Sequence, residues 1–233
     1  FTRCYASAGG AVFNNGGTVR NITVLDCRAL NGGGVYNAGT LANALIRGCY
    51  ADAEIYSDNG GQGGAIYNYS GDVSGIAAYN NTSWDGGGIY LKGGRIINST
   101  VLNNTVRSTN GTANVAGETE TETEANTLNS ITDQATTMSN FMMPTNFAGR
   151  ATTDAQTILI QNADWSLAPG SEFIDKGIAV DGYTSGTDLA GNPRVAGAAI
   201  DRGAYESQGD AKRPTIVLTF APGTDAARIG VGG

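Results

Sequence analysis

The chain has 233 residues, 35 of them glycine, with 14 Lys+Arg against 21 Asp+Glu for a net charge of −7 and no histidine. No basic run exists to neutralise phosphates, which disfavours nucleic acid as a partner, and no apolar stretch is long enough to span a bilayer. The glycines follow no Gly-X-Y period, the three cysteines leave at least one unpaired, and the missing histidine removes the commonest general base and metal ligand.

The first residues, FTRCYASAGG, open in the middle of a pattern, as expected of a mature fragment of a longer protein. A glycine-rich motif follows four times: GGAVFN (9–14), GGGVYN (32–37), GGAIYN (63–68) and GGGIYL (86–91). Its aromatic residues are Phe13, Tyr36, Tyr67 and Tyr90, spaced 23, 31 and 23. After each motif and a short turn comes a second block: TVRNITVLDC (18–27), TLANALIRGC (40–49), DVSGIAAYNN (72–81) and RIINSTVLNN (95–104). The four blocks align without gaps. One column reads Val19, Leu41, Val73, Ile96, the next Asn21, Asn43, Gly75, Asn98, and a third Cys27, Cys49, Asn81, Asn104, which Cys4 joins one repeat earlier. Two blocks keeping one order and phase predict an all-β, right-handed parallel β-helix with coils of about 22–23 residues over 1–107. Stacked coils about 4.8 Å apart pair each strand above and below. The asparagines at 21, 43 and 98 are expected to bond up and down the axis as an amide ladder, interrupted at Gly75. The cysteines are expected to be buried thiols behaving as small hydrophobes. Several Asn-X-Ser/Thr triplets read as structural.

The repeat is broken in one place. Cys27 to Gly32 takes 5 residues and Cys49 to Gly63 takes 14, so 9 are inserted within YADAEIYSDNGGQ (50–62). Insertions in repeat folds go to loops on one edge, often the functional one. Alignment puts Trp84 and Asp85 beside that loop. Tyr56 and Trp84, with Tyr79, could stack on a sugar ring while Asp52, Glu54, Asp58 and Asp85 accept its hydroxyl hydrogen bonds. The same acids offer oxygen ligands for Ca²⁺. A surface loop packed by its own aromatics is the competing reading.

The pattern fades over 108–162, where ETETETE (118–124) reads as a solvated loop and QTILIQ (156–161) as a returning strand. Then come ADWSLAPGSEFIDKG (163–177) and TDLAGNPRVAGAAIDRGAYES (187–207). A Ser-x-x-Ile-Asp-x-Gly segment followed by Asp-x-x-Gly-x-x-Arg and Asp-x-Gly-Ala-Tyr-Glu resembles the end of bacterial choice-of-anchor Q domain surface proteins. The repeats also resemble those of polymorphic outer-membrane proteins and pectate-lyase-like helices. The resemblance implies a β-helix and an extracellular or cell-surface setting, and no catalytic residues. On this reading 163–207 is a structural cap closing the open end of the helix, held by Asp175, Asp188, Arg194, Asp201 and Glu206, with Arg194 bonded to a carboxylate and to backbone carbonyls. A catalytic pair such as Asp175 with Asp201 is the sharper alternative. The tail 208–233 reads as a linker around Lys212–Pro214 and the first strand, TIVLTF (215–220), of a following module.

No Ser-His-Asp, Cys-His or zinc set can be assembled without histidine, nor the paired aspartates with histidine of a polygalacturonase. The reading is therefore a monomeric, non-catalytic, adhesin-like module. A carbohydrate-binding module using the 50–62/84–85 edge, with polysaccharide or cell-surface glycoconjugate as partner, is the alternative, and a polysaccharide lyase or hydrolase stands behind that.

Overall fold

The structure, a computed structural model, describes residues 1–52, 60–132, 166–167, 171 and 173–208. The expected strands at 156–161 and 215–220 and the linker at 212–214 lie outside these residues.

The described chain is built in layers. The first contributes β1 (Val12–Asn14), β2 (Thr18–Leu25) and β3 (Arg28–Ala29). The second contributes β4 (Val35–Asn37), β5 (Thr40–Arg47) and β6 (Tyr50–Ala51). The third contributes β7 (Ile66–Asn68), β8 (Asp72–Tyr79) and β9 (Thr82–Ser83). The fourth contributes β10 (Ile89–Leu91), β11 (Arg95–Ile97), β12 (Thr100–Leu102) and β13 (Thr105–Val106). A fifth adds β14 (Val115–Gly117), the short helix α1 (Glu120–Ala125), β15 (Thr127–Leu128) and β16 (Ile131–Thr132). Each layer gives one strand position to each of two parallel sheets, and the first four also feed a third, β3-β6-β9-β13.

Register follows the sequence columns. Phe13, Tyr36, Tyr67 and Tyr90 are consecutive partners, as are Val19, Leu41, Val73 and Ile96. The alternating period of a strand explains the faces. Val35, Ile66 and Ile89 turn inward and are fully buried, while Phe13, Tyr36, Tyr67 and Tyr90 turn outward and stack ring on ring at 4.8, 5.3 and 5.5 Å. Inside, Leu41, Ile46, Val73, Ile76 and Ile96 join them in one continuous core fed by the facing sheets. Each such side chain contributes about 1.5–3 kcal/mol on burial.

The glycine pairs have two separate causes. Gly63 sits at φ +69°, and an added Cβ would lie 2.1 Å from the Ile66 carbonyl oxygen. Its neighbour Gly64 faces the next layer, where a Cβ would lie 2.2 Å from the Gly87 oxygen. One glycine makes the turn and the other lets layers approach.

Two expectations change. The column Asn21, Asn43, Gly75, Asn98, continued by Asn129, holds φ of 55°, 51°, 60°, 48° and 48°. It is a left-handed bend, a conformation that glycine, asparagine and aspartate visit more cheaply than other residues. Its amides do not bond along the axis. The amide ladders lie inside instead: Asn14 donates to Asn37 Oδ1 and Asn37 to Asn68 Oδ1, both at 2.7 Å. A second ladder runs Asn81, Asn104, Asn114 at 3.0 and 2.9 Å. The ETETETE run is not simply a loop: α1 starts from a threonine N-cap in which the Thr119 hydroxyl accepts from Glu122 N at 3.2 Å and donates to Glu122 Oε2 at 3.0 Å.

Candidate functional site

The third sheet forms the edge from which the insertion departs. Of the six residues expected there, Asp52, Trp84 and Asp85 are described, whereas Glu54, Tyr56 and Asp58 lie outside the described residues. Asp52 follows β6 and is engaged by two arginines, Arg28 at 2.7 Å and Arg107 at 3.7 Å. Both guanidinium groups stand over the Tyr50 ring, 5.4 and 5.8 Å from its centroid, and Arg107 also donates to the Tyr50 hydroxyl. Asp85 shapes backbone: its Oδ1 accepts from Gly86 N at 3.0 Å and Thr112 N at 2.9 Å. Tyr79 is only 8% exposed, which removes it as a stacking platform. Trp84 keeps 40% of its surface open, with Gly60 against the root of its ring. Among the described residues no three His, Cys, Asp or Glu side chains gather as a metal site. Asp52 is thus held by arginines and Asp85 Oδ1 by backbone N–H groups.

The C-terminal residues come together in one network. Asp175, Asp188, Arg194, Asp201 and Glu206 are linked through segment 173–207, and the last four are buried. The carboxylates turn to backbone N–H groups. Asp201 accepts from Asp175 N at 2.7 Å and Ser207 N at 2.6 Å. Glu206 accepts from Ala196 N at 3.1 Å and Asp201 N at 2.9 Å. Asp188 accepts from Asn192 N at 2.7 Å and Glu206 N at 2.9 Å, and Asp175 from Ala199 N at 2.9 Å. Arg194 was expected to bond a carboxylate as well as carbonyls. It bonds only carbonyls among the described residues: Ala204 O at 3.1 Å, Gly203 O at 2.5 Å and Asp201 O at 3.4 Å. Burial pushes the Glu206 carboxyl up to about 7 against its two N–H donors, and it raises Asp201 as well. Burial pulls the Arg194 guanidinium down, opposed by Glu206, Asp188 and Asp201. Both Asp201 oxygens and Asp175 Oδ1 are thus committed to backbone N–H groups.

This segment does more than meet the last layers, where Gly203 N donates to Asn129 O at 2.8 Å. It runs back along the side of the stack on the asparagine column. Asn129 exchanges two hydrogen bonds with the Ile178 backbone, at 2.6 and 2.9 Å. Asn98 Nδ2 donates to Tyr183 O at 3.1 Å, and Asn43 Nδ2 to Thr187 O at 3.3 Å. The Tyr183 hydroxyl donates to Asp72 Oδ2 at 2.8 Å, and its ring lies under Arg95 at 5.6 Å. Arg95 grips Asp72 with two bonds, at 3.1 and 2.5 Å. Burial raises the Asp72 carboxyl, but hydrogen bonds from Arg95 and Tyr183 outweigh it and hold it below the usual range.

Gly75 breaks the asparagine column opposite this segment. There the chain leaves a cavity of about 360 Å³, lined by Arg20, Ser74, Gly75, Asn98, Tyr183 and Arg194 among others. A second depression of about 580 Å³ adjoins it, sharing Asn21, Asn43 and Thr187. The insertion in the repeat points to a different edge, at 50–62 and 84–85. The signal available was Gly75 standing alone in a column of asparagines. No protein-family model, no curated protein and no solved structure matches this chain.

Proposed function

We propose that this chain is a right-handed parallel β-helix serving as a non-catalytic module of an extracellular or surface-exposed bacterial protein, of the choice-of-anchor Q kind that its C-terminal motifs resemble. Stacked parallel strands joined by crossovers support the handedness, because such connections are right-handed almost without exception. The observation that carries the non-catalytic reading is the state of the candidate acids: Asp52 is paired with arginines, and Asp85, Asp175, Asp188, Asp201 and Glu206 are spent on backbone N–H groups. General acid–base work needs a carboxyl within reach of a substrate proton. Antibodies against the purified chain should label intact source cells without permeabilisation, and incubation with acidic and neutral polysaccharides should release neither reducing ends nor unsaturated products. Staining only after permeabilisation would refute the surface setting, and turnover would refute the non-catalytic reading.

A second reading, glycan contact along the insertion edge, is favoured by the 40% exposure of Trp84. Aromatic faces are the common stacking surface for sugars, and Trp84→Ala should then abolish retention on the cognate polysaccharide.

A further inference from the structure

The aromatic column takes no part in the functions above. Phe13, Tyr36, Tyr67 and Tyr90 stand in register on the outward face of one parallel sheet, so strand spacing stacks their rings. Tyr36 has two tyrosine neighbours. The Tyr67 ring lies 5.3 Å from it with 21° between the planes, and the Tyr69 ring lies 6.1 Å from it, again at 21°. Tyr69 follows β7, and its backbone N–H donates to Asn37 O at 2.7 Å, which seats it next to Tyr36. Tyr69 is 51% exposed, while Tyr36 and Tyr67 are half-buried. Phe13 lacks a hydroxyl, and Tyr90 is 5% exposed with its hydroxyl held by Glu118 Oε1 at 3.0 Å. The middle tyrosines are thus the accessible phenols of the ladder.

The chemistry open to such a cluster is oxidative coupling. A phenol that gives up one electron and one proton becomes a phenoxyl radical, whose unpaired electron is shared with the ring carbons ortho to the oxygen. Two such radicals on neighbouring rings join carbon to carbon. Each ortho hydrogen then moves to its ring oxygen and restores both phenols, so the pair loses two hydrogen atoms in all. Hydrogen peroxide, acting through a peroxidase, takes up the two electrons and two protons and leaves as two waters. Holding reactants adjacent beforehand favours their joining, and strand register holds these rings adjacent before any oxidation. Tyr69 offers the oxidant an exposed ring, and Tyr36 is the next phenol for the radical to reach.

We propose that Tyr36, Tyr67 and Tyr69 form a peroxide-driven cross-linking site, at which Tyr36 becomes bonded to Tyr67 or Tyr69 as dityrosine. The bond joins the second and third layers across the 50–62 insertion. Tyr36 and Tyr67 are 31 residues apart along the chain, and closing a loop of that length restricts the unfolded chain, as a disulfide does. Neither Trp84 nor any carboxylate takes part, so the site stands apart from both readings above.

The test treats the dilute 233-residue chain with a haem peroxidase and hydrogen peroxide, followed by dityrosine fluorescence, gel filtration and tandem mass spectrometry of a trypsin digest. The expected product is a monomer lighter by two hydrogens. In its digest, residues 29–47, whose only tyrosine is Tyr36, are joined to residues 48–92, and fragmentation places the bond at Tyr67 or Tyr69. Tyr36→Phe should lose this product, and so should the double variant Tyr67→Phe/Tyr69→Phe. Both keep every ring, and Phe13 already fills the same column in the first layer, so the fold is retained, which circular dichroism confirms. Tyr5 is the control: it is 69% exposed and stands outside the ladder, and Tyr5→Phe should leave the yield unchanged. The proposal is overturned if the treated monomer carries no link between 29–47 and 48–92. It is equally overturned if folded Tyr36→Phe forms as much dityrosine within the monomer as the parent, or if the link forms as readily in the urea-unfolded chain.

Discussion

The buried amide ladder offers the sharpest test of what holds the layers together. Asn37 is fully buried; it accepts from Asn14 Nδ2 at 2.7 Å and donates to Asn68 Oδ1 at 2.7 Å and to Gly39 O at 3.0 Å. Replacing it with alanine removes the donor for two close acceptors, Asn68 Oδ1 and Gly39 O, and for Ser70 O at 3.4 Å. Asn14 Nδ2 loses one acceptor but keeps Gly17 O at 3.0 Å. At about 1–2 kcal/mol for each buried acceptor stranded, Asn37→Ala should cost about 2–4 kcal/mol. Urea unfolding followed by far-ultraviolet circular dichroism reads this directly. With an m-value of about 1–3 kcal/mol/M, the midpoint should fall by about 1–2 M at unchanged slope. Asn37→Asp should cost more, since it turns a carboxylate toward Asn68 Oδ1 in a buried setting. A loss below about 0.5 kcal/mol for Asn37→Ala, the range of ordinary surface substitutions, would refute the ladder as a stabilising element.

Other outcomes follow from single residues. Gly63→Ala meets both a positive φ and backbone at 2.1 Å, so it should prevent stable folding or lower the melting temperature sharply. Burial lifts Glu206 to about 7, above its ordinary value, so the folded chain holds this proton where the unfolded chain has released it. Its contribution to stability should therefore be fully present below about pH 4.5 and decline as pH rises toward about 7. Glu206→Gln should flatten the fall in urea midpoint over that window, and a parent midpoint that rises across it would contradict the assignment. Burial pushes the Cys49 thiol up to about 12 and raises Cys27 too. A thiol-reactive dye on native protein should label Cys4 alone, reaching all three after denaturation, and rapid native labelling of Cys49 would be incompatible with its buried place. Asp52→Asn removes only exposed ion pairs and should cost less than about 1 kcal/mol.

The layer register was legible because the repeat is written twice per turn. The GG-aliphatic-aromatic motif and the Val19, Leu41, Val73, Ile96 column hold their phase independently, and strand pairing keeps both. The fifth layer was not legible. Ala116 stands where the other layers carry an aromatic, Thr127 where they carry an aliphatic residue, and α1 interrupts the spacing. The role of the bend asparagines was misread for a physical reason. A column of asparagines predicts either amides stacked along the axis or residues tolerating a left-handed backbone, and spacing alone does not separate the two. Conformation decides: at φ near 50° the side chains reach outward and find the Ile178, Tyr183 and Thr187 carbonyls. A partner more than 40 residues away along the chain leaves no local mark in the sequence.

That outward reach also explains why the cavity lies where it does. Segment 173–208 has no described regular strand or helix, so its carbonyls need donors from outside. The asparagine column supplies them from the layers of Asn43, Asn98 and Asn129, and Tyr183 fixes the segment to Asp72. In the layer of Gly75 the column has no side chain to offer, and the segment spans that gap between Tyr183 and Thr187 without a bond from it. The same layer also follows the insertion, since its β7 begins at Ile66, three residues after Gly63. Two departures from the period thus fall in one repeat. The insertion adds chain on one edge, where the described acids are already paired. The glycine removes a side chain on another, where the C-terminal segment passes without a bond from the column. In a stacked array, where neighbouring layers satisfy each other by repetition, one missing side chain is enough to leave a depression where the other layers make a contact.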